Sequence, residues 1–70
     1  MKEYIRNEVS KLRSARKITQ EELALSVGVS RQTIIALEKG NYTPSVLLGL
    51  KIAHFFNQPL EKVFIITYEK

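Results

Sequence analysis

The stretch Thr19-Gln20-Glu21-Glu22-Leu23-Ala24-Leu25-Ser26-Val27-Gly28-Val29-Ser30-Arg31-Gln32-Thr33-Ile34-Ile35-Ala36-Leu37-Glu38-Lys39-Gly40 encodes two helices with almost nothing between them. Thr19 followed three residues later by Glu22 is a capping box, the signature of a helix start. The helix it opens has Leu23, Ala24 and Val27 on its inward face and must stop near Gly28, where a residue without a Cβ tolerates a left-handed turn. Ser30 then caps a second helix from Arg31 to Lys39, with Ile34 and Leu37 inward and Gly40 as its stop. Gly28 and Val29 are all that separate the two. A connection that short makes the second helix cross the first steeply, so that one of them projects its outer face away from the body. Such a crossing needs a small residue at the point of contact (Ala24), a turn residue tolerating positive φ (Gly28) and apolar anchors under the projecting helix (Ile34, Leu37). Counted from Gln20 as position one, these fall at positions five, nine, fifteen and eighteen. This is the spacing of the DNA-binding helix-turn-helix.

Outward from this core the chain reads as more short helices with extended ends. Ile5, Val9 and Leu12 recur at helical spacing, with Asn7 as a start cap and Lys2 to Arg6 extended or frayed before it. Asn41, Tyr42 and Thr43 form a polar loop. Thr43 before Pro44 predicts a cap with proline at the first helical position. The helix from Pro44 to Phe56 is apolar at Leu47, Leu50, Ile52, Ala53 and Phe56, and Asn57-Gln58 breaks it. Pro59 starts a short helical turn with Leu60, Val63 and Phe64, and β-branched and aromatic residues through Tyr68 predict a strand. The expectation is one domain over residues 1–70: mainly α, five helices, the helix-turn-helix at 20–39, and terminal strands at about 2–6 and 64–69.

Composition narrows the function classes. Seventy residues are too few for a doubly wound nucleotide fold or a barrel enzyme. Hydrophobic residues at 44% and charged residues at 26% give a globular balance. The absence of cysteine excludes disulfide frameworks and thiol chemistry. No apolar run is long enough to span a membrane, and Met1-Lys2-Glu3 is unlike a secretory leader, so a cytoplasmic location is the expectation. Eleven Lys/Arg against seven Asp/Glu give a net charge of +4. A basic balance suits a polyanion, although a solvated helix face accounts for the charge equally well. His54, the only histidine, lies on a helix in a chain with no Asp. Ser10, Ser26 and Ser45 have no histidine at a telling position, and Gly28, Gly40 and Gly49 form no phosphate-cradling loop. No enzyme, metal, cofactor or small-molecule ligand is expected.

The runs Thr19 to Ala24 and Val29 to Ile34, with Glu38-Lys39-Gly40 before a polar loop and Pro44, resemble the prokaryotic phage repressor and Cro type of helix-turn-helix regulator. The resemblance covers Asn7 to about Phe64. It implies a five-helix repressor-like domain binding double-stranded DNA, most simply as a repressor on a (pseudo)palindromic operator. It also implies base reading by Arg31 and Gln32. Chemistry agrees, since Arg pairs in bidentate fashion with guanine and Gln with adenine. Ser30 and Thr33 would make shorter contacts, Ser30 to the backbone and Thr33 to a base edge. Ile35 and Ala36 stand where many relatives carry polar residues, so Ile35 would meet a thymine methyl or a partner protein. Thr19 and Gln20 at a helix N-terminus suit a phosphate. Lys39, Asn41 and Tyr42 lie where the family loop grips the backbone, with a core position open as an alternative for Tyr42. Arg16 is a further phosphate candidate. Arg13 and Glu38 are implied to be a structural pair joining the first and third helices.

An assembly expectation completes the reading. Phe64-Ile65-Ile66-Thr67-Tyr68 is apolar on both alternating faces, which one subunit cannot cover. The chain is also similar to the small cytolysin-repressor type of regulator, in which terminal strands join subunits. Residues Phe64, Ile65, Ile66 and Tyr68 are therefore expected at a homodimer interface, built on a small antiparallel sheet of the two termini. The alternative is an antitoxin-like or adaptor module with secondary DNA binding, which an additional partner-binding tail would favour.

Overall fold

In the computed structural model, which describes residues 2–69, each helix is set by its caps and by one buried face. The order is β1 (Lys2–Asn7), α1 (Val9–Ala15), α2 (Gln20–Val27), α3 (Arg31–Glu38), α4 (Val46–Phe55), α5 (Leu60–Val63) and β2 (Phe64–Glu69). The mainly α architecture with five helices and a small terminal sheet is the one anticipated. Both halves of the α2 capping box form: Thr19 Oγ1 accepts the Glu22 N–H at 3.0 Å, and Glu22 Oε1 accepts the Thr19 N–H at 2.7 Å. Gly28 closes α2 at φ 77. A Cβ there would meet nothing within 4 Å, so the backbone conformation and not crowding calls for glycine. Ser30 caps α3 by accepting the Thr33 N–H at 3.2 Å.

Helices α1, α3 and α4 end alike. In α3, Gly40 is left-handed (φ 81), its N–H reaches the Leu37 carbonyl, and the Asn41 N–H reaches Ala36. This paired pattern satisfies carbonyls that a helix end would otherwise strand. Asn57 (φ 56) repeats it after α4 and Lys17 (φ 57) after α1. Every helix supplies at least one fully enclosed side chain to the core: Val9, Leu23, Ile34, Leu37, Ile52 and Val63.

The sheet pairs the two ends of the chain in antiparallel register, with Ile5 opposite Ile66, Arg6 opposite Ile65 and Asn7 opposite Phe64. Opposed residues share a face, so Ile5, Phe64, Ile66 and Tyr68 lie together. Ile66 is 59% exposed and Tyr68 57% exposed.

Three local expectations are corrected. First, α1 begins at Val9 with Glu8 as its N-cap, because strand pairing continues through Asn7 and the Glu8 N–H is taken by the Val63 carbonyl. Ile5 consequently belongs to β1, not to the α1 face. Second, α4 is capped by Ser45, whose Oγ accepts the Leu48 N–H at 3.1 Å; Thr43 and Pro44 lie in the preceding loop. Third, the buried face of α4 is Leu48, Gly49, Ile52 and Ala53, leaving Leu47 and Leu50 exposed.

The cap assignment has a direct test. Ser45→Ala should cost about 1 kcal/mol of unfolding free energy and Thr43→Ala less than about half of that. Urea denaturation of the two variants measures both, and equal losses would contradict a cap at Ser45.

Candidate nucleic-acid interface

Helix α3 buries Ile34 and Leu37 completely and turns its other residues outward. Arg31 and Gln32 are exposed on its first turn, with Thr33, Ile35 and Ala36 half-buried beside them. Short polar groups are already organised there, since the Ser30 and Thr33 hydroxyls lie 3.1 Å apart in a mutual hydrogen bond. This leaves the two long side chains as the ones that extend from the helix start.

A polar cleft joins that turn to the beginning of α2. It is lined by Thr19, Gln20 and Glu21 on one side and by Arg31, Lys17 and Arg13 around them. The unpaired N–H groups at a helix start carry partial positive charge, and here Lys17 and Arg31 add full charges alongside. Lys17 reaches this position through its left-handed turn after α1, two residues before the capping threonine.

Beneath the cleft lies a shielded ionic cluster. Arg13 donates to Glu38 through Nε at 2.9 Å and Nη2 at 3.2 Å, and through Nη1 to the Ile18 carbonyl at 3.0 Å. The Glu38 side chain is only 7% exposed. The hydrogen bond to Glu38 raises the Arg13 pKa above its ordinary value; desolvation opposes the shift and Coulomb attraction adds to it. The Arg13–Glu38 pair implied by resemblance is thus present. Gln20 also belongs to the cluster, because its Nε2 donates to Glu38 Oε1 at 3.1 Å. A carboxylate can only accept, so this bond fixes which way the Gln20 amide faces. The partly buried Gln20 side chain is thus held from behind.

Two further residues stand where the structure decides between roles. Arg16 donates Nη1 to the Phe55 carbonyl at 2.8 Å, and its guanidinium lies 5.6 and 5.3 Å from the centroids of Phe55 and Phe56. Its guanidinium joins the end of α1 to the end of α4 while the residue stays exposed. Tyr42 is 43% exposed, so it lies in the loop surface and does not plug the core. Lys39 and Asn41 are exposed beside it.

Comparison with known proteins agrees with this geometry. The helix-turn-helix family profile matches residues 9–63. A helix-turn-helix-type transcriptional regulator of Methanocaldococcus jannaschii is 51% identical over 61 residues, covering 87% of this chain and 92% of that protein. The cryptic phage CTXphi transcriptional repressor RstR of Vibrio cholerae is 33% identical over 57 residues, covering 81% of this chain and 51% of the repressor. Among solved structures, the restriction-modification controller protein C.AhdI of Aeromonas hydrophila superposes with a TM-score of 0.73 at 27% identity, covering 79% of this chain and 83% of that one.

Removing the carboxylate from the cluster would strand Arg13 beside the core. Glu38→Ala should therefore lower stability by about 2–3 kcal/mol. Arg6→Ala, which breaks the exposed Arg6–Glu8 pair, should change it by less than ~0.5 kcal/mol. Thermal and urea melts compare the two, and an unperturbed Glu38→Ala protein would remove the cluster from the account of stability.

Proposed function

The chain belongs to the helix-turn-helix family of the phage repressor and Cro type, and on that footing we propose that it is a sequence-specific transcriptional repressor acting as a homodimer in the cytoplasm. The observation that carries the reading is the exposed Arg31-Gln32 pair on the first turn of α3, above the enclosed anchors Ile34 and Leu37. In this reading α3 enters the major groove. Arg31 and Gln32 read base edges, Thr33 adds a short contact, and Ile35 meets a thymine methyl. Thr19, Gln20 and Ser30 hold phosphates at the two helix starts, and Lys39, Asn41 and Tyr42 grip the backbone beyond α3. These contacts position the protein without reading sequence.

Dimerisation supplies the remaining geometry. Two recognition helices must reach half-sites about one turn of DNA apart, roughly 34 Å, beyond the reach of one eight-residue α3. The exposed apolar residues Ile66 and Tyr68, with Phe64 and Ile65 on the same strand, support an interface in which the terminal sheet continues across a two-fold axis. Repression by occluding a promoter is the simplest action of such a dimer, and the likeness to RstR supports it.

Two experiments address the two halves of the proposal. After selection of bound fragments from genomic DNA, Arg31→Ala and Gln32→Ala should each reduce preference for the operator by about 10- to 100-fold while sparing weak non-specific binding. Full operator affinity in both variants would refute the recognition-helix assignment. Sedimentation of Ile66→Lys should show a monomer whose operator affinity has fallen at least about a hundredfold; a persisting dimer would exclude the strand interface.

A further inference from the structure

Asn7 joins β1, the start of α1 and the end of α3 through one side chain. Its Nδ2 donates to the Leu37 carbonyl of α3 at 2.9 Å, and its Oδ1 accepts the Val9 N–H at 3.2 Å. Because a carbonyl only accepts and an N–H only donates, both ends of the amide are assigned by their partners. The Leu37 carbonyl lies in the last turn of α3, where it also accepts the Gly40 N–H. Asn7 itself is the last residue of β1 and sits opposite Phe64 in the sheet. A single amide thus ties the sheet to the recognition helix.

Beyond that tie the two elements stand apart. A cleft runs between them, with Tyr4 and Arg6 on the strand side and Lys39, Gly40 and Thr43 on the other. The other anchors of the sheet go elsewhere: the Glu8 N–H donates to the Val63 carbonyl of α5 at 2.9 Å, and Phe64 packs against the core beside Gly49 of α4. Those anchors fix the sheet to α4 and α5, whereas its placement relative to α3 is set directly by the Asn7 amide. Leverage makes that placement matter. A tilt of about 10° at the joint moves the far end of a ~20 Å strand by about 3.5 Å, the rise of one base pair.

We infer that Asn7 is a positioning residue for operator recognition: it sets the spacing between half-sites that the dimer accepts, without touching DNA. The inference rests on the reading of the chain as a dimer joined through its terminal sheet. It assigns a specificity role to a residue far from the first turn of α3.

The test compares wild type, Asn7→Asp and Asn7→Ala on a series of selected operators whose half-sites are separated by one base pair fewer, the selected number, or one and two more. Asp keeps the acceptor for Val9 and loses the donor to Leu37; Ala loses both. Wild type should favour its best spacing over a neighbour by about tenfold. In Asn7→Asp that preference should fall by about fivefold, the worth of one net hydrogen bond, while sedimentation and half-site base preference stay as in wild type. Asn7→Ala should show the same flattened profile with a lower melting temperature. A merely structural role would weaken binding equally at every spacing, and that result, or a wild-type profile in Asn7→Asp, would overturn the inference alone. A wild-type protein indifferent to spacing would overturn the dimer reading and this one together.

Discussion

The carboxylate of Glu38 is the constraint on which the rest of the molecule depends. It sits in the last turn of α3, nearly cut off from water, and such a charge is tolerated only when donors surround it. Arg13 supplies two from α1 and Gln20 a third from the start of α2. The same guanidinium also holds the Ile18 carbonyl in the turn before α2. Three helices are therefore fastened at one point, with the planar fork of arginine fixing direction as well as distance. The first turn of α3 can then stand exposed without the helix rotating, because its far end is clamped and Ile34 and Leu37 fill the space beneath. Recognition surfaces built on such clamped elements keep their side chains in place before a ligand arrives.

Cationic side chains in this domain divide between two duties, and net charge alone does not separate them. Arg13 and Arg16 face inward contacts: one a carboxylate and a carbonyl, the other a carbonyl and two phenylalanine rings. Arg31 and Lys39 remain exposed near the projecting helix, and Lys17 joins them along the cleft at the start of α2. Arginine suits the inward duty because its weakly hydrated plane stacks on aromatic faces. The T-shaped Phe55–Phe56 pair beneath Arg16, with ring centroids 5.0 Å apart, offers such faces at the end of α4.

Legibility in the sequence tracked how local the determining physics is. The α2 and α3 boundaries were readable because a capping hydroxyl, a glycine and a few buried positions all lie within one short segment. The terminal strands were readable from composition, and their mutual pairing from the excess of apolar faces. The phase of α4 was not. Val46, Leu47, Leu48 and Leu50 are apolar on every side, so no period distinguishes the buried Leu48 from the exposed Leu47; tertiary packing against the other helices decides it. Lys17 in a left-handed conformation carries no glycine-like signal, and only the paired hydrogen bonds at the end of α1 reveal it. The partners that Arg16, Gln20 and Asn7 hold within the domain were not legible for one reason: they lie 18 to 39 residues away. As for the site, the exposed turn of α3 and the Arg13–Glu38 pair behind it were foreseen, while the Gln20 bond that completes the cluster emerged only with the fold.

The terminal sheet also orders events in time. Each helix closes over neighbouring residues, whereas β1 pairs with a strand from the opposite end of the chain. Closing so long a loop costs entropy that only a formed helical body can offset. The helices can therefore assemble first, with β1 and β2 pairing once that body has formed. Folding of the helical body can thus precede completion of the sheet, and the docking of Phe64–Glu69 on β1 is the second step.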